Sequence, residues 1–112
     1  MITHQEVEKY ILSMDGSRLD YPFGEGVAVY KAANNKLFAI VQEGSSPLKL
    51  SLKCDPLLAK TLRERYESVM PGYHLNKKHW NTILMTGQLD WTEIQDLIRH
   101  SYLLVTEQEA DT

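Results

Sequence analysis

The sequence predicts an α+β fold, a two-layer sandwich in which helices cover one side of an antiparallel sheet. Three observations lead to this prediction. Helical spacing of apolar residues occurs near both ends and in the middle of the chain, β-branched and aromatic runs lie between those segments, and 112 residues suffice for one modest core. The expected order is a helix, about three strands, a helix, about two strands and a helix. We expect a single domain over residues 1–112, with a frayed tail over 107–112.

The first helix is predicted from about residue 3 to residue 14. Thr3 and Glu6 form a capping box, and Val7 and Ile11 then follow at helical spacing. A hairpin follows the irregular segment 15–26, because 27–31 and 37–41 are rich in β-branched and aromatic residues. The asparagines between them tolerate a tight turn.

Residues 48–53 alternate strictly between leucine and polar side chains. Alternation of this kind predicts a strand with one buried face and one exposed face. Lys49, Ser51 and Lys53 would lie on the exposed face, away from the helices.

The second and third helices each begin at an acidic cap. Asp55 precedes Pro56, which is favoured at a first helical position, and Asp90 is followed three residues later by Glu93. Residues 82–86 between these helices read as a strand, which Gly87 ends.

Charge is distributed unevenly in this mildly acidic chain. Residues 44–87 carry seven basic residues against three acidic ones, whereas the remainder carries five against twelve. Such segregation can give an acidic protein a positive face, although it is equally compatible with a solvated surface.

Several function classes receive no support from the sequence. No apolar run reaches the length of a membrane span, and the N terminus does not resemble a signal peptide, so we expect a cytoplasmic protein that does not enter membranes. The single Cys54 precedes a predicted helix and could pair with His74 or His79, but such a cysteine is more often a small buried hydrophobe. No metal-ligand or acid-base pattern is recognisable, so we expect no cofactor, no metal and no enzymatic activity.

The segment 72–82 is the strongest binding candidate, because it combines basic, aromatic and amide side chains without an acid. Lysines can neutralise phosphates, amides can donate hydrogen bonds and rings can stack on unpaired bases. The alternatives are a buried Trp80, a loop-anchoring Tyr73 and purely solvated lysines. The candidate nucleic-acid contacts are Lys49, Lys53, Tyr73, His74, Asn76, Lys77, Lys78, His79, Trp80 and Asn81.

Five short segments spread along the chain form a recognisable set: 21–24 (YPFG), 52–56 (LKCDP), 71–74 (PGYH), 76–82 (NKKHWNT) and 100–102 (HSY). Together they resemble the MmcQ/YjbR-like family, and the resemblance covers nearly the whole chain. It implies a bacterial protein with a secretion-chaperone-like or frataxin-like fold and a DNA-binding "double wing" of hairpins. The wing positions that this chain can supply are Tyr73, His74, Asn76, Lys77, Lys78, His79 and Trp80. A protein-interaction adaptor or chaperone-like module, binding a protein or peptide on the exposed sheet face, is the alternative.

Overall fold

The computed structural model describes residues 2–72 and 75–107. Three helices and six strands lie within these residues, and their order confirms the α+β prediction. The elements are α1 (His4–Leu12), β1 (Arg18–Asp20), β2 (Val27–Lys31), β3 (Leu37–Gln42), β4 (Lys49–Lys53), α2 (Pro56–Arg65), β5 (Val69–Pro71), β6 (Trp80–Leu84) and α3 (Trp91–Glu107).

The six strands form one antiparallel sheet in the order β1-β2-β3-β4-β6-β5. The first run therefore has four strands where the sequence predicted about three. The sequence did not predict β1, and it predicted a second strand between α2 and α3 without assigning residues to it, which is β5. Both strands have three residues and lie at the two edges of the sheet. Three residues are too few to show a period of two, so neither strand is visible in the sequence. The predicted kinship with secretion chaperones and frataxins stays a prediction.

Local hydrogen bonds explain where the helices begin. The amide of Glu6 donates to Oγ1 of Thr3 at 3.1 Å, and the carboxylate of Asp55 accepts from the amides of Leu57 and Leu58. The amide of Glu93 donates in the same way to Oδ1 of Asp90 at 2.8 Å. These side chains satisfy amides that have no partner inside their helix, which confirms the three predicted caps.

A β-bulge in β3 turns one additional side chain towards the helices. Tyr30 pairs with Ala39 and Lys31 pairs with Leu37, so Phe38 is the extra residue. Its ring is fully buried and lies edge-on to that of Tyr102 in α3, with 5.4 Å between the ring centroids.

Alternate residues of the central strands belong to two different faces. Leu50 and Leu52 join the main core together with apolar residues of all three helices. The face that bears Lys49, Ser51 and Lys53 is called the outward face below. At its centre the hydroxyls of Ser51 and Thr82 lie 2.8 Å apart, across β4 and β6. The alternation read from residues 48–53 thus matches the two sides of β4, but the outward face is not exposed as predicted: Ser51 is buried, and Lys49 and Lys53 are half-buried.

Within the part of the chain that the structure describes, no helix has the length and apolar character needed to cross a bilayer.

Candidate nucleic-acid interface

Lys49 and Lys53 stand at the two ends of β4 on the outward face. Lys49 lies opposite Gln42 and Leu84, and Lys53 lies opposite Trp80. Four residues of extended chain separate the two lysines by about 13 Å. No ion pair joins either of them to an acid within residues 2–72 and 75–107. Both lysines are half-buried, and no acid in the described residues neutralises their charges.

The strands as a group are basic. They contain four basic residues, and their single acid is Asp20 at the edge of the sheet. The Asp20 carboxylate lies 3.5 Å from Nζ of Lys31 and offsets that charge. Strands β2 to β6 hold no carboxylate that would repel a phosphate, so the charges on the strands themselves favour an anion despite the net charge of −3.

The loop before β6 is organised by Asn76. Its Oδ1 accepts from the amide of Lys78 at 3.0 Å, and its carbonyl accepts from the amides of His79 and Trp80 at 3.1 and 2.9 Å. Because Oδ1 of Asn76 is used inside the loop, its amide nitrogen is the group left to contact a ligand. The side chains of Lys77 and Lys78 are exposed on this turn, whereas His79 is half-buried.

Two hydrogen bonds attach this loop to the rest of the fold. The amide of Cys54 donates to the carbonyl of His79 at 2.7 Å, just beyond β4, and Nη1 of Arg63 donates to the carbonyl of Lys77 at 3.0 Å. The loop therefore lies between the end of β4 and α2. Four basic side chains therefore lie near one another at this end of the sheet. We call this group the basic end; it consists of Lys53, Arg63, Lys77 and Lys78.

Trp80 and Asn81 belong to β6, because this strand begins two residues earlier than the sequence predicted. Trp80 is only 8% exposed, in line with the buried alternative. Asn81 is 3% exposed on the helix side, where its Nδ2 donates to the carbonyl of Ala59 at 3.2 Å. The prediction that Asn81 contacts nucleic acid is incompatible with that position. Tyr73 and His74 lie outside the described residues.

Cys54 does not have the environment of a nucleophile. The side chain is 4% exposed, and burial, followed by the nearby charge of Asp55, raises the pKa of its thiol to about 11. The start of α2 does not lower this pKa below the ordinary value, because the cost of desolvating a thiolate dominates. The thiol stays protonated at neutral pH and acts as a small buried hydrophobe.

One group of possible metal ligands occurs among the described residues, and the sequence analysis missed it. It consists of His4 and Glu8 on α1 and of Glu43 just after β3. The spacing of four residues between His4 and Glu8 on a predicted helix was the available signal, since it places both side chains on one face. Glu43 could not have been added without knowledge of how α1 packs.

Comparisons with known proteins agree with the family resemblance. The YjbR family model matches residues 12–104. The chain is 33% identical over 101 residues to the uncharacterized protein YjbR of Escherichia coli K12, covering 90% of this chain and 85% of that protein. It is 27% identical over 117 residues to the uncharacterized protein YyaQ of Bacillus subtilis, covering 93% and 98%.

A solved structure extends this agreement to three dimensions. The crystal structure of the Deinococcus radiodurans protein DR2400, a DUF419 domain, superposes with a TM-score of 0.91 at 34% identity, covering 97% of this chain and 82% of that chain. A Pseudomonas syringae protein superposes with a TM-score of 0.80 at 28% identity, covering 92% and 98%. Sequence and fold together show that this chain belongs to the YjbR family.

Proposed function

We propose that this protein binds DNA through the outward face of its sheet and the adjoining basic end, without catalysing a reaction. The observation that carries the proposal is the pair Lys49 and Lys53, which share one face of a central strand and have no acidic partner among the described residues. A cytoplasmic location, where DNA is accessible, is part of the proposal.

The spacing of the lysines suits contacts along a phosphate backbone. Lys49 and Lys53, about 13 Å apart along β4, are far enough apart to contact different phosphates of one DNA strand. Lys77 and Lys78 extend the positive surface beyond Lys53, because the carbonyl of His79 in the same loop is hydrogen-bonded to the amide of Cys54. Lysines at these positions would each contact a separate phosphate.

The outward face offers few groups that could read a base sequence. The hydroxyls of Ser51 and Thr82 bond to each other and are buried, so they are not presented to base edges. We therefore expect binding that depends on charge and not on sequence, with a dissociation constant of about 10⁻⁴ to 10⁻⁶ M at physiological salt.

A salt titration with a 20-base-pair mixed-sequence duplex and its single strand tests the proposal. Four phosphate contacts predict that affinity for the duplex falls about a hundredfold between about 50 and about 200 mM salt. The triple substitution Lys53→Gln, Lys77→Gln and Lys78→Gln should reduce both the affinity and the salt dependence. Amide chemical shifts should change along β4 and in the loop before β6.

A control variant removes two positive charges from the helical side of the protein instead. Lys9 on α1 and Lys60 on α2 are exposed, and the variant Lys9→Gln with Lys60→Gln should bind DNA within about twofold of the parent protein if only the phosphate contacts matter. Equal loss in both variants would indicate a general charge effect. No binding by the parent protein at about 50 mM salt would refute the proposal.

The adaptor alternative has weaker support. It requires a contiguous apolar patch of several hundred Å². The large apolar side chains most exposed among the described residues are Phe23 in a loop and Leu57 on α2, which belong to separate parts of the fold. Neither lies on the outward face.

A further inference from the structure

Three potential metal ligands meet where the start of α1 packs against the end of β3. Nε2 of His4 lies 2.9 Å from Oε2 of Glu43 and 3.5 Å from Oε2 of Glu8. One ligand atom from each residue falls within 4.8 Å of the other two. All three residues are half-buried, so the group is neither a freely solvated surface cluster nor a closed core.

Two tyrosines hold the carboxylates in place. The hydroxyl of Tyr21 donates to Oε2 of Glu43 at 2.7 Å, and the hydroxyl of Tyr30 donates to Oε2 of Glu8 at 2.8 Å. Both phenols donate to the carboxylates, as the outer partners of metal-binding carboxylates commonly do.

The histidine nitrogen indicates where a ligand would sit. Nε2 of His4 is inaccessible to solvent and makes no hydrogen bond within the described residues, although Oε2 of Glu43 is only 2.9 Å away. A simple ion pair would point the N–H bond at the carboxylate oxygen. A nitrogen and an oxygen at this distance without a hydrogen bond between them have the separation of two ligands of a common third atom.

We propose that His4, Glu8 and Glu43 bind a divalent first-row transition-metal ion through Nε2 and the two Oε2 atoms. Two atoms that each lie about 2.1 Å from one ion are separated by about 3.0 Å in octahedral and about 3.4 Å in tetrahedral coordination. The observed separations of 2.9 and 3.5 Å from the histidine nitrogen bracket these values.

The donor set selects the class of metal. One imidazole with two carboxylates suits Zn²⁺, Co²⁺ or Mn²⁺ better than Mg²⁺, which prefers oxygen ligands and retained water. Three protein ligands leave at least one coordination position for water or a small ligand. A surface cleft of about 460 Å³, lined by Tyr21, Gly24, Glu25 and Glu43, adjoins the group and gives access to that position.

This site lies at the opposite end of β4 from the basic end. Glu43 follows Gln42, which pairs with Lys49, whereas Lys53 and the basic end lie at the other end of β4. His4 and Glu8 also precede the residues that the YjbR family model matches. Loss of metal binding should therefore leave the DNA contacts of the basic end intact, and loss of those contacts should leave metal binding intact.

Calorimetry with Zn²⁺ and visible absorption with Co²⁺, both on untagged protein, test the proposal. We expect one ion per chain, and a Co²⁺ spectrum that reports nitrogen and oxygen ligation. His4→Ala and Glu43→Gln should each weaken binding by tenfold or more, and Tyr21→Phe by about tenfold. Glu6→Gln is the matched control, because it removes a carboxylate from the exposed side of the same helix.

Two results would overturn the proposal. One is the absence of stoichiometric binding at about 1 mM Zn²⁺, because a dissociation constant above about 1 mM is too weak for a specific metal site. The other is equal binding by the parent protein and by Glu43→Gln, whose amide still accepts the Tyr21 hydrogen bond and should preserve the fold. Circular dichroism of each variant separates lost ligation from lost structure.

Discussion

The hydroxyl of Ser101 donates a 2.6 Å hydrogen bond to the carbonyl of Phe38, inside the protein and across the interface between α3 and β3. The same oxygen accepts from the amide of Lys53 at 3.0 Å. Phe38 precedes Ala39 and Lys53 follows Leu52, so both lie just beyond the last ladder pair of β3 and β4, Ala39 with Leu52. A helix side chain thus joins the two strands just past the end of their ladder.

We expect Ser101→Ala to lower the free energy of unfolding by about 1 to 3 kcal/mol, because it leaves a buried carbonyl and an amide without their partner. Urea unfolding followed by tryptophan fluorescence measures this change. Thr92→Ala on the exposed side of α3 is the control and should stay within about 0.5 kcal/mol. An unchanged free energy of unfolding in Ser101→Ala would mean that water or a direct strand contact replaces the hydroxyl.

Gly72→Ala should destabilise the protein by about 1 to 3 kcal/mol through overpacking. A Cβ atom at Gly72 would lie 2.7 Å from Cβ of Trp80, and the amide of Gly72 is fixed by a 2.8 Å bond to the carbonyl of Trp80. Gly44→Ala provides the comparison, since a Cβ there meets no atom within 4 Å. Equal midpoints of urea unfolding for both variants would contradict the close contact at Trp80.

The thiol of Cys54 should resist iodoacetamide at pH 7.5 in the folded protein and react rapidly in urea. Its pKa of about 11 lies above the ordinary value of 9.0, so the protonated form is favoured by folding. The corresponding stability is fully present below pH 9 and is lost as the pH rises to about 11, where the folded thiol also ionises. The chain has a single cysteine, so mass spectrometry gives the rate without ambiguity. Fast labelling at pH 7.5 in native buffer would show that Cys54 is accessible.

Asn81→Ser should reduce stability by about 1 kcal/mol, because the hydrogen bond to the Ala59 carbonyl is lost. Its affinity for DNA should be unchanged at a temperature where the variant is fully folded, since Asn81 faces the helices. The duplex titration described above measures this. A selective loss of affinity in Asn81→Ser would place the binding surface on the helix side of β6.

Features that depend on interactions between residues close in the chain were predicted correctly from the sequence. The caps at Thr3, Asp55 and Asp90 depend on hydrogen bonds within three residues, and they were correctly predicted. The alternation of β4 likewise assigned Lys49 and Lys53 to one face without knowledge of their neighbours.

Features that depend on strand register were less accessible. The start of β6 at Trp80 was missed because its first residues lie in a basic, polar run that reads as a loop. The inward position of Asn81 follows from its pairing with Leu52, which no local pattern encodes. The contact between α1 and Glu43 is of the same kind, since it joins elements that are distant in the chain.

Several charges form a local dipole along β3 and β4. Glu8 and Glu43 lie at one end of these strands, and Lys53, Lys77 and Lys78 lie at the other. Lys49 lies at the acidic end and partly offsets this dipole. In the field of a polyanion such a dipole experiences a torque, so the protein would rotate its lysines forward before first contact. Productive encounters would then form a larger share of all collisions at low salt. Occupation of the glutamates by a divalent cation would weaken this alignment and slow association, even though no metal ligand touches DNA.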